Sequence, residues 1–402
     1  MSETGSLLVG LVCPACGTAV DHRQPVGTCP SCGGTLFAEY DLDRLDGRTW
    51  LRSLRDRPAR LWRYRELLPV GRADAIVSLG EGGSPIFPLG AIPEAPDLTV
   101  VVKDDGGLPT GSFKARGMTV AVSRAKELGL RELYVPSAGN AGVALAAYGA
   151  RAGMRVRIYL PDRTPAPQRN ACSSYGAEVR SVPGTIREAG ETARTTEKGR
   201  GSFDVSTLRE PFRVEGKKTM GLEIFEAGGN DGLPDAILYP AGGGTGLIGM
   251  EKAFSELARI GLLHRIPRLY AVQPGGCAPV VRALAEGAAR VTPWADPHTV
   301  APGLLVPSPF ASERILAAVR STKGGGVTVT DGEIVHAMRQ LAERHGVSAS
   351  PEAAAPYAAL ARLRARGDLR PGETVLLYLT GTGLPFSIEE LERAVGVTAP
   401  PR

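Results

Sequence analysis

From about residue 79 onward the chain alternates two textures. Short runs of β-branched and aliphatic residues give way to Ala-rich stretches whose apolar positions recur three and four residues apart, and glycine turns separate them. Residues 98–103, 132–135, 156–160, 236–239, 269–272 and 375–379 read as strands, and residues 117–128, 142–152 and 247–257 as helices. Strands alternating with helices predict an α/β fold: a mostly parallel sheet with helices on both faces. In such sheets ligands sit beyond the carboxyl ends of the strands. Residues 41–68 differ, alternating Arg, Asp and Leu at a spacing that predicts a solvated linker helix, with Trp50 and Trp62 packing it on the main body. The Pro-rich end after Val397 reads as a loose tail. No internal repeat is present, and the 51 glycines and 32 prolines follow no fibrous period.

Length and charge narrow the class. A chain of 402 residues, 43% hydrophobic, can bury a sizeable core and suits two or three domains. Its formal charge of +5 is spread along the chain, which argues against a nucleic-acid partner and leaves room for a small anionic substrate. No apolar stretch approaches the ~18 residues of a membrane span. The first eleven residues lack the basic start and small-residue cleavage site of a signal peptide, so the expected location is cytoplasmic.

The first 40 residues stand apart. Cys13-Pro14-Ala15-Cys16 and Cys29-Pro30-Ser31-Cys32 are separated by 12 residues, and each pair is followed by glycine (Gly17, Gly33). Two tight turns would present four thiolates to one tetrahedral site, the pattern of a structural zinc ribbon with no open position for catalysis. Four unrelated thiols, or a disulfide pair, are the competing readings. His22 lies between the pairs and reads as exposed rather than as a ligand. His264, His298, His336 and His345 read as structural or surface residues, and Cys172 and Cys277 as small buried hydrophobes.

Lysine is scarce. Eight occur (Lys103, Lys114, Lys126, Lys198, Lys217, Lys218, Lys252 and Lys323), and the rest of the 47 cations are arginines. An amine that must form an imine cannot be replaced by a guanidinium, so each retained lysine calls for a reason. Lys114 follows the turn Pro109-Thr110-Gly111-Ser112 and would sit in the first turn of a helix, where the helix dipole disfavours a cation. Conversion to an imine, or a phosphate nearby, would relieve that cost. Three further strand ends carry ligand-binding chemistry. Ser137-Ala138-Gly139-Asn140 offers small residues and an amide. Gly242-Gly243-Gly244-Thr245 at a helix start can turn successive N–H groups toward a phosphate. It is neither a P-loop, for no Gly-Lys-Ser/Thr follows, nor a dinucleotide site, for the next strand ends in Gln273-Pro274 rather than an acid. Thr380-Gly381-Thr382-Gly383 presents a hydroxyl suited to a pyridine nitrogen that stays unprotonated.

Together with Gly80-Glu81-Gly82-Gly83-Ser84-Pro85, Ser206-Thr207-Leu208-Arg209-Glu210-Pro211, Glu215-Gly216-Lys217-Lys218-Thr219 and Ser350-Pro351-Glu352-Ala353-Ala354, these stretches resemble the fold-type II pyridoxal-phosphate (PLP) enzymes, and most closely the threonine synthases. The N-terminal cysteine ribbon is similar to that of one branch of that family. The resemblance implies two doubly wound α/β domains with the cofactor between them, plus the small zinc ribbon. The domains would be residues 1–40 (ribbon), 41–105 with 215–402 (large) and 106–214 (small). It implies Lys114 as the Schiff-base lysine and acid/base, Gly242, Gly243, Gly244 and Thr245 on the cofactor phosphate, Asn140 on its 3′ oxygen and Thr380 on its ring nitrogen. Arg116, Ser84 and Ser137 would contact substrate; Cys13, Cys16, Cys29 and Cys32 would hold zinc; the protein would be a homodimer. The implied reaction converts O-phospho-L-homoserine and water to L-threonine and phosphate. Ala115 replaces an acidic residue common in the family, and Ala138 and Ala141 replace hydroxylated ones. A threonine or serine dehydratase, or another elimination or replacement enzyme, is therefore the alternative, and a non-catalytic scaffold a third reading.

Overall fold

In the computed structural model, which describes residues 5–164 and 166–396, the chain begins with three short antiparallel strands. β1 (Leu8–Val12) pairs with β2 (Ala19–Val20) on one side and β3 (Phe37–Tyr40) on the other. The two cysteine turns lie in this small sheet's loops. The tail reading after Val397 lies outside the described residues.

Residues 41–68 do not form the solvated helix their spacing predicts. Only α1 (Gly47–Ser53) is α-helical, and 3-10 turns follow at Leu54–Asp56 and Leu61–Leu67. Pro58 interrupts any continuous helix. Leu54, Leu61, Tyr64, Leu67 and Leu68 are buried, so these apolar positions dock an irregular strap rather than stripe a helix. Trp50 donates to Glu66 at 3.1 Å, and Trp62 donates to Glu81 and Thr119 at 3.2 and 3.1 Å, fastening the strap to the body.

The body follows as β4 (Ile86–Pro88), β5 (Thr99–Asp104), α2 (Lys114–Glu127), β6 (Glu132–Pro136), α3 (Asn140–Ala152), β7 (Arg155–Pro161), α4 (Ala166–Ser174), β8 (Glu178–Val182), α5 (Ile186–Glu197), β9 (Phe203–Asp204) and α6 (Arg213–Gly228). Then come β10 (Ala236–Pro240), α7 (Thr245–Arg259), β11 (Arg268–Pro274), α8 (Pro279–Ala285), α9 (Ser312–Ser321), β12 (Gly325–Val329), α10 (Asp331–His345), α11 (Pro351–Ala365), β13 (Thr374–Leu379) and α12 (Ile388–Val395). The larger sheet has the order β12-β11-β10-β13-β5-β4, and only the edge strand β4 is antiparallel. The smaller sheet, β8-β7-β6-β9, is wholly parallel. The apolar runs of β10 and β13 are buried on both faces, as central parallel strands covered by helices require. Side-chain caps set several helix starts: Thr185 with Glu188 and Thr330 with Glu333 form capping boxes before α5 and α10.

Helices α2 and α6 cross at very short range. A Cβ on Gly216 would lie 1.9 Å from the carbonyl oxygen of Arg116, and one on Gly117 would lie 2.9 Å from that of Arg213. The close approach lets a buried ion network form across the crossing. Arg116, wholly inaccessible, donates to Asp105 at 2.7 Å through both Nε and Nη2, to Glu223 at 2.6 and 2.8 Å, and to Thr219 and Ser84 at 3.0 Å. Lys103 joins it through Glu223 at 2.7 Å, and Tyr378 donates to Asp105 at 2.8 Å.

The crossing yields a direct expectation. Gly216→Ala should destabilise the protein by about 3 kcal/mol or more, because the added methyl meets backbone that cannot rotate away. Gly90→Ala, where nothing lies within 4 Å, should stay within about 0.5 kcal/mol of the parent. Denaturation midpoints of the two variants check the contrast.

Candidate active site

Lys114 opens α2, with Phe113 as its N-cap and no side chain capping the helix. The turn before it is a 3-10 segment, Pro109–Gly111, and Ser112 is extended and bridged to Gly381. Phe113 N–H donates to the Thr380 carbonyl at 3.0 Å, which fixes Lys114 against the carboxyl end of β13. The Phe113 ring meets Tyr239 edge-on, with centroids 6.2 Å apart, so the same turn abuts the end of β10. The Lys114 amine lies 3.9 Å from the Phe113 ring centroid and has no hydrogen-bond partner among the described residues. Burial, with the Arg213 guanidinium alongside, lowers this amine to about 7, and Glu352 opposes the shift.

The glycine stretch 242–244 runs from β10 into α7. Gly244 adopts φ +70°, and the N–H groups of residues 242–247 have no acceptor among the described residues. Six donors gathered at the positive end of a 15-residue helix form an anion cradle. The Thr380 side-chain hydroxyl belongs to a residue that is 5% exposed, and it has no partner among the described residues. Asn140 stands exposed as the first residue of α3, its amide uncommitted, and α3 packs on the Pro109–Gly111 turn. An unpartnered amine, a free N–H cradle, a free hydroxyl and a free amide are the donor set that pyridoxal phosphate needs, and these residues fit it. Ser137 lies in the loop before α3 and accepts from Gly142 N–H at 3.0 Å, holding that loop.

Two of the expected substrate contacts are placed otherwise. Arg116 has every guanidinium donor committed to Asp105, Glu223, Thr219 and Ser84, so it has none to offer a substrate phosphate. Residues two apart on a helix point to opposite sides, and Arg116 therefore faces away from Lys114. Ser84 donates to Asp105 at 2.6 Å and serves the same network.

The cation whose charge acts on the Lys114 amine is Arg213, the first residue of α6. It is buried, donates through Nη1 to the Val205 carbonyl at 2.7 Å, and leaves Nε without a partner. Glu210 beside it accepts from the N–H groups of Phe212 and Arg213 at 2.8 and 2.9 Å, and burial pushes its carboxyl up to about 7. The sequence reading missed Arg213, although it is also a cation in the first turn of a helix, the signal that singled out Lys114. Glu352, at the start of α11, accepts from Gly303 N–H at 2.7 Å, and the Gly303 carbonyl packs on Gly242.

The four N-terminal cysteine sulfurs lie within 4.8 Å of one another, and all six cysteines of the chain are free thiols. His22 is half-buried, with Nδ1 3.0 Å from the Arg124 guanidinium, and is not part of the cluster. Cys172 and Cys277 are buried, and burial pushes both thiols up, Cys172 to about 11.

A family model described as pyridoxal-phosphate dependent enzyme matches residues 77–381. Threonine synthase of Methanocaldococcus jannaschii is 34% identical over 374 residues, covering 92% of each chain. The chain belongs to the threonine synthase family of pyridoxal-phosphate-dependent enzymes. The threonine synthases of Methanosarcina acetivorans, 34% identical over 92% of this chain and 91% of that one, and of a Synechocystis species, 36% identical over 80% and 81%, are further relatives. Among solved structures, the processed form of threonine deaminase isoform 2 from Solanum lycopersicum superposes with a TM-score of 0.67 over 93% of this chain and 98% of that one, at 19% identity. A threonine deaminase from T.th. gives 0.61 over 76% and 93%, at 27% identity. The architecture is thus the fold-type II arrangement. No helix among the described residues is long and apolar enough to cross a membrane.

Only the neutral amine can attack the cofactor's aldehyde, and the Lys114 amine is lowered to about 7. Uptake of pyridoxal phosphate by cofactor-free protein should therefore quicken as pH rises through about 7 and level off above about 8, far below the ~10.4 of an ordinary lysine. Stopped-flow absorbance at roughly 410–430 nm follows it, and Lys114→Ala should develop no such band.

Proposed function

We propose that this protein converts O-phospho-L-homoserine and water to L-threonine and phosphate, with pyridoxal phosphate as its cofactor. The observation that carries the reading is an uncommitted amine served by two separate anion sites. The Lys114 amine feels the buried guanidinium of Arg213, and its neighbour Phe113 packs on Tyr239 at the end of β10, the strand that leads into the N–H cradle at residues 242–247. One site suits the cofactor's phosphate and the other a phosphate on the substrate, which a simple hydroxyamino acid would leave unused.

Bound pyridoxal phosphate supplies an electron sink for carbanions formed on the substrate. The chain's own residues do the rest. Gly242, Gly243, Gly244 and Thr245 would hold the cofactor phosphate by backbone N–H groups, Asn140 would hold the 3′ oxygen, and the Thr380 hydroxyl would meet the ring nitrogen without protonating it. Ser137 and its loop receive the substrate carboxylate. Arg213 orients the substrate phosphate and stabilises it as it leaves. The Lys114 amine, titrating near neutrality, removes the α proton and then a β proton and returns protons after water adds. We further infer that Cys13, Cys16, Cys29 and Cys32 hold one structural zinc ion, supported by four converging sulfurs and no competing disulfide. A homodimer in the cytoplasm completes the reading.

Incubation with O-phospho-L-homoserine should release phosphate and threonine in equal amounts. Arg213→Leu should raise KM for that substrate about 10- to 100-fold, the worth of a charged hydrogen bond, while cofactor absorbance is kept. No phosphate release, with ammonia and a 2-oxo acid formed from threonine or serine instead, would overturn the proposal. Protein purified without chelators should carry close to one zinc per chain by elemental analysis, and its absence would remove the zinc assignment.

A further inference from the structure

A second lysine touches the peptide that carries the first. Lys217, on α6, is 1% exposed, and its Nζ donates to the carbonyl oxygens of Phe113 at 2.7 Å and Lys114 at 3.4 Å. It forms no ion pair within 4 Å among the described residues: the buried carboxylates Asp105, Glu215 and Glu223 pair with Lys103, Arg116, Lys218 and Lys252 instead. Its Nζ also lies 4.7 Å from the centroid of the Phe113 ring, the ring on which the Lys114 amine rests. Gly117 leaves the space this requires, since a Cβ there would come within 2.9 Å of Nζ.

The acceptors within reach bear on the state of the group. An ammonium has three N–H bonds to satisfy and a charge to neutralise, whereas a neutral amine has two. Two carbonyls and no carboxylate match the neutral form. Most charged groups facing it agree: Lys114 and Arg116 from α2 and Arg213 from its own helix oppose a charge, while Asp105, just after β5, and the Phe113 ring favour one. Burial is the largest influence, and the amine is lowered well below its ordinary value.

We propose that Lys217 is a positioning residue: as an uncharged amine it donates its two hydrogens to the Phe113 and Lys114 carbonyls, and so fixes the backbone from which Lys114 reaches the cofactor without placing a second full charge beside it. The role rests on Lys114 as the cofactor-bearing lysine. Arg213 and Lys217 are four residues apart and share one face of α6, so the same helix face aims the substrate's anion site and steadies the catalytic amine.

Lys217→Met keeps length and removes both donors. With cofactor saturating, this variant should retain the band at roughly 410–430 nm but lose about 10²-fold in kcat, as a small displacement of the reacting group would cause. KM should stay within about threefold, because substrate contacts remain. A second readout is independent of turnover. A lysine neutral in the folded state and charged when unfolded makes the parent less stable as pH falls below about 10.4. The difference in Tm between Lys217→Met and the parent should therefore favour the variant most near pH 7 and shrink steadily toward pH 10. A difference that does not change with pH, or an unchanged kcat, would overturn the proposal. If Lys217→Met does not fold, Lys217→Gln is measured in the same way, and failure of both to fold would make Lys217 a structural residue and end the proposal. Absence of the cofactor band in the parent would instead defeat the reading of Lys114, leaving the Tm comparison intact.

Discussion

The site depends on a charge network that no ligand reaches. Arg116, Asp105, Glu223 and Lys103 are all buried inside the protein, where two cations and two carboxylates pair across α2, β5 and α6. Taking each ion out of water costs several kcal/mol, and the attraction among them recovers that only at one geometry. Such a network is a poor source of stability and a strict source of register. It fixes the rotation of α2 about its axis, and with it the direction in which Lys114, two residues earlier and on the opposite side, must point. Gly117 and Gly216 let the helices come close enough for the network to close.

The same geometry explains what could be read from the residues alone. The alternation of strands and helices was legible because β10, β11 and β13 are continuous apolar runs buried between helix layers. The strands passed over carry weaker signals: β8 mixes charge into its run, β12 begins with two glycines, and β9 has two residues. Lys114 stood out because a cation at a helix start is costly, and the structure gives that amine no hydrogen-bond partner among the described residues. Arg116 was given to the substrate by resemblance alone, and the resemblance carries no account of its partners: its guanidinium is spent on Asp105, Glu223, Thr219 and Ser84, on the far side of α2 from Lys114. The strap at 41–68 misled for a different reason: leucines at helical spacing can also face a surface that an irregular chain lies on, and Pro58 was the local signal against a continuous helix.

Helix α6 gathers these constraints. Its Arg213, Glu215, Lys217, Lys218 and Glu223 are buried along with Val214, Met220, Leu222, Ile224 and Phe225, so the helix is enclosed on every side and its charges must find partners inside the protein. At about 100° per residue they fall on three faces. Arg213 and Lys217 turn toward the first turn of α2, and Glu223 with Gly216 toward Arg116. Glu215 and Lys218 turn toward α7 and the N-terminal ribbon, where Lys252 and Tyr40 meet Glu215 at 2.7 and 3.0 Å.

That third face gives the ribbon a physical reason to be present. Tyr40 ends β3 and reaches Glu215, Lys252 donates to the Ala38 carbonyl, and Gly27 abuts the backbone of Arg209, in the loop that leads into Arg213. His22, between the cysteine pairs, presents its carbonyl and Nδ1 to Arg124 near the far end of α2. The ribbon therefore braces both helices that define the site, α6 where it begins and α2 where it ends. A sheet of strands two to five residues long cannot hold that shape through a core of its own. Four converging thiols would supply the missing rigidity once a metal joined them, and the bracing of Arg213 and Lys114 would then depend on a joint more than 80 residues away in sequence.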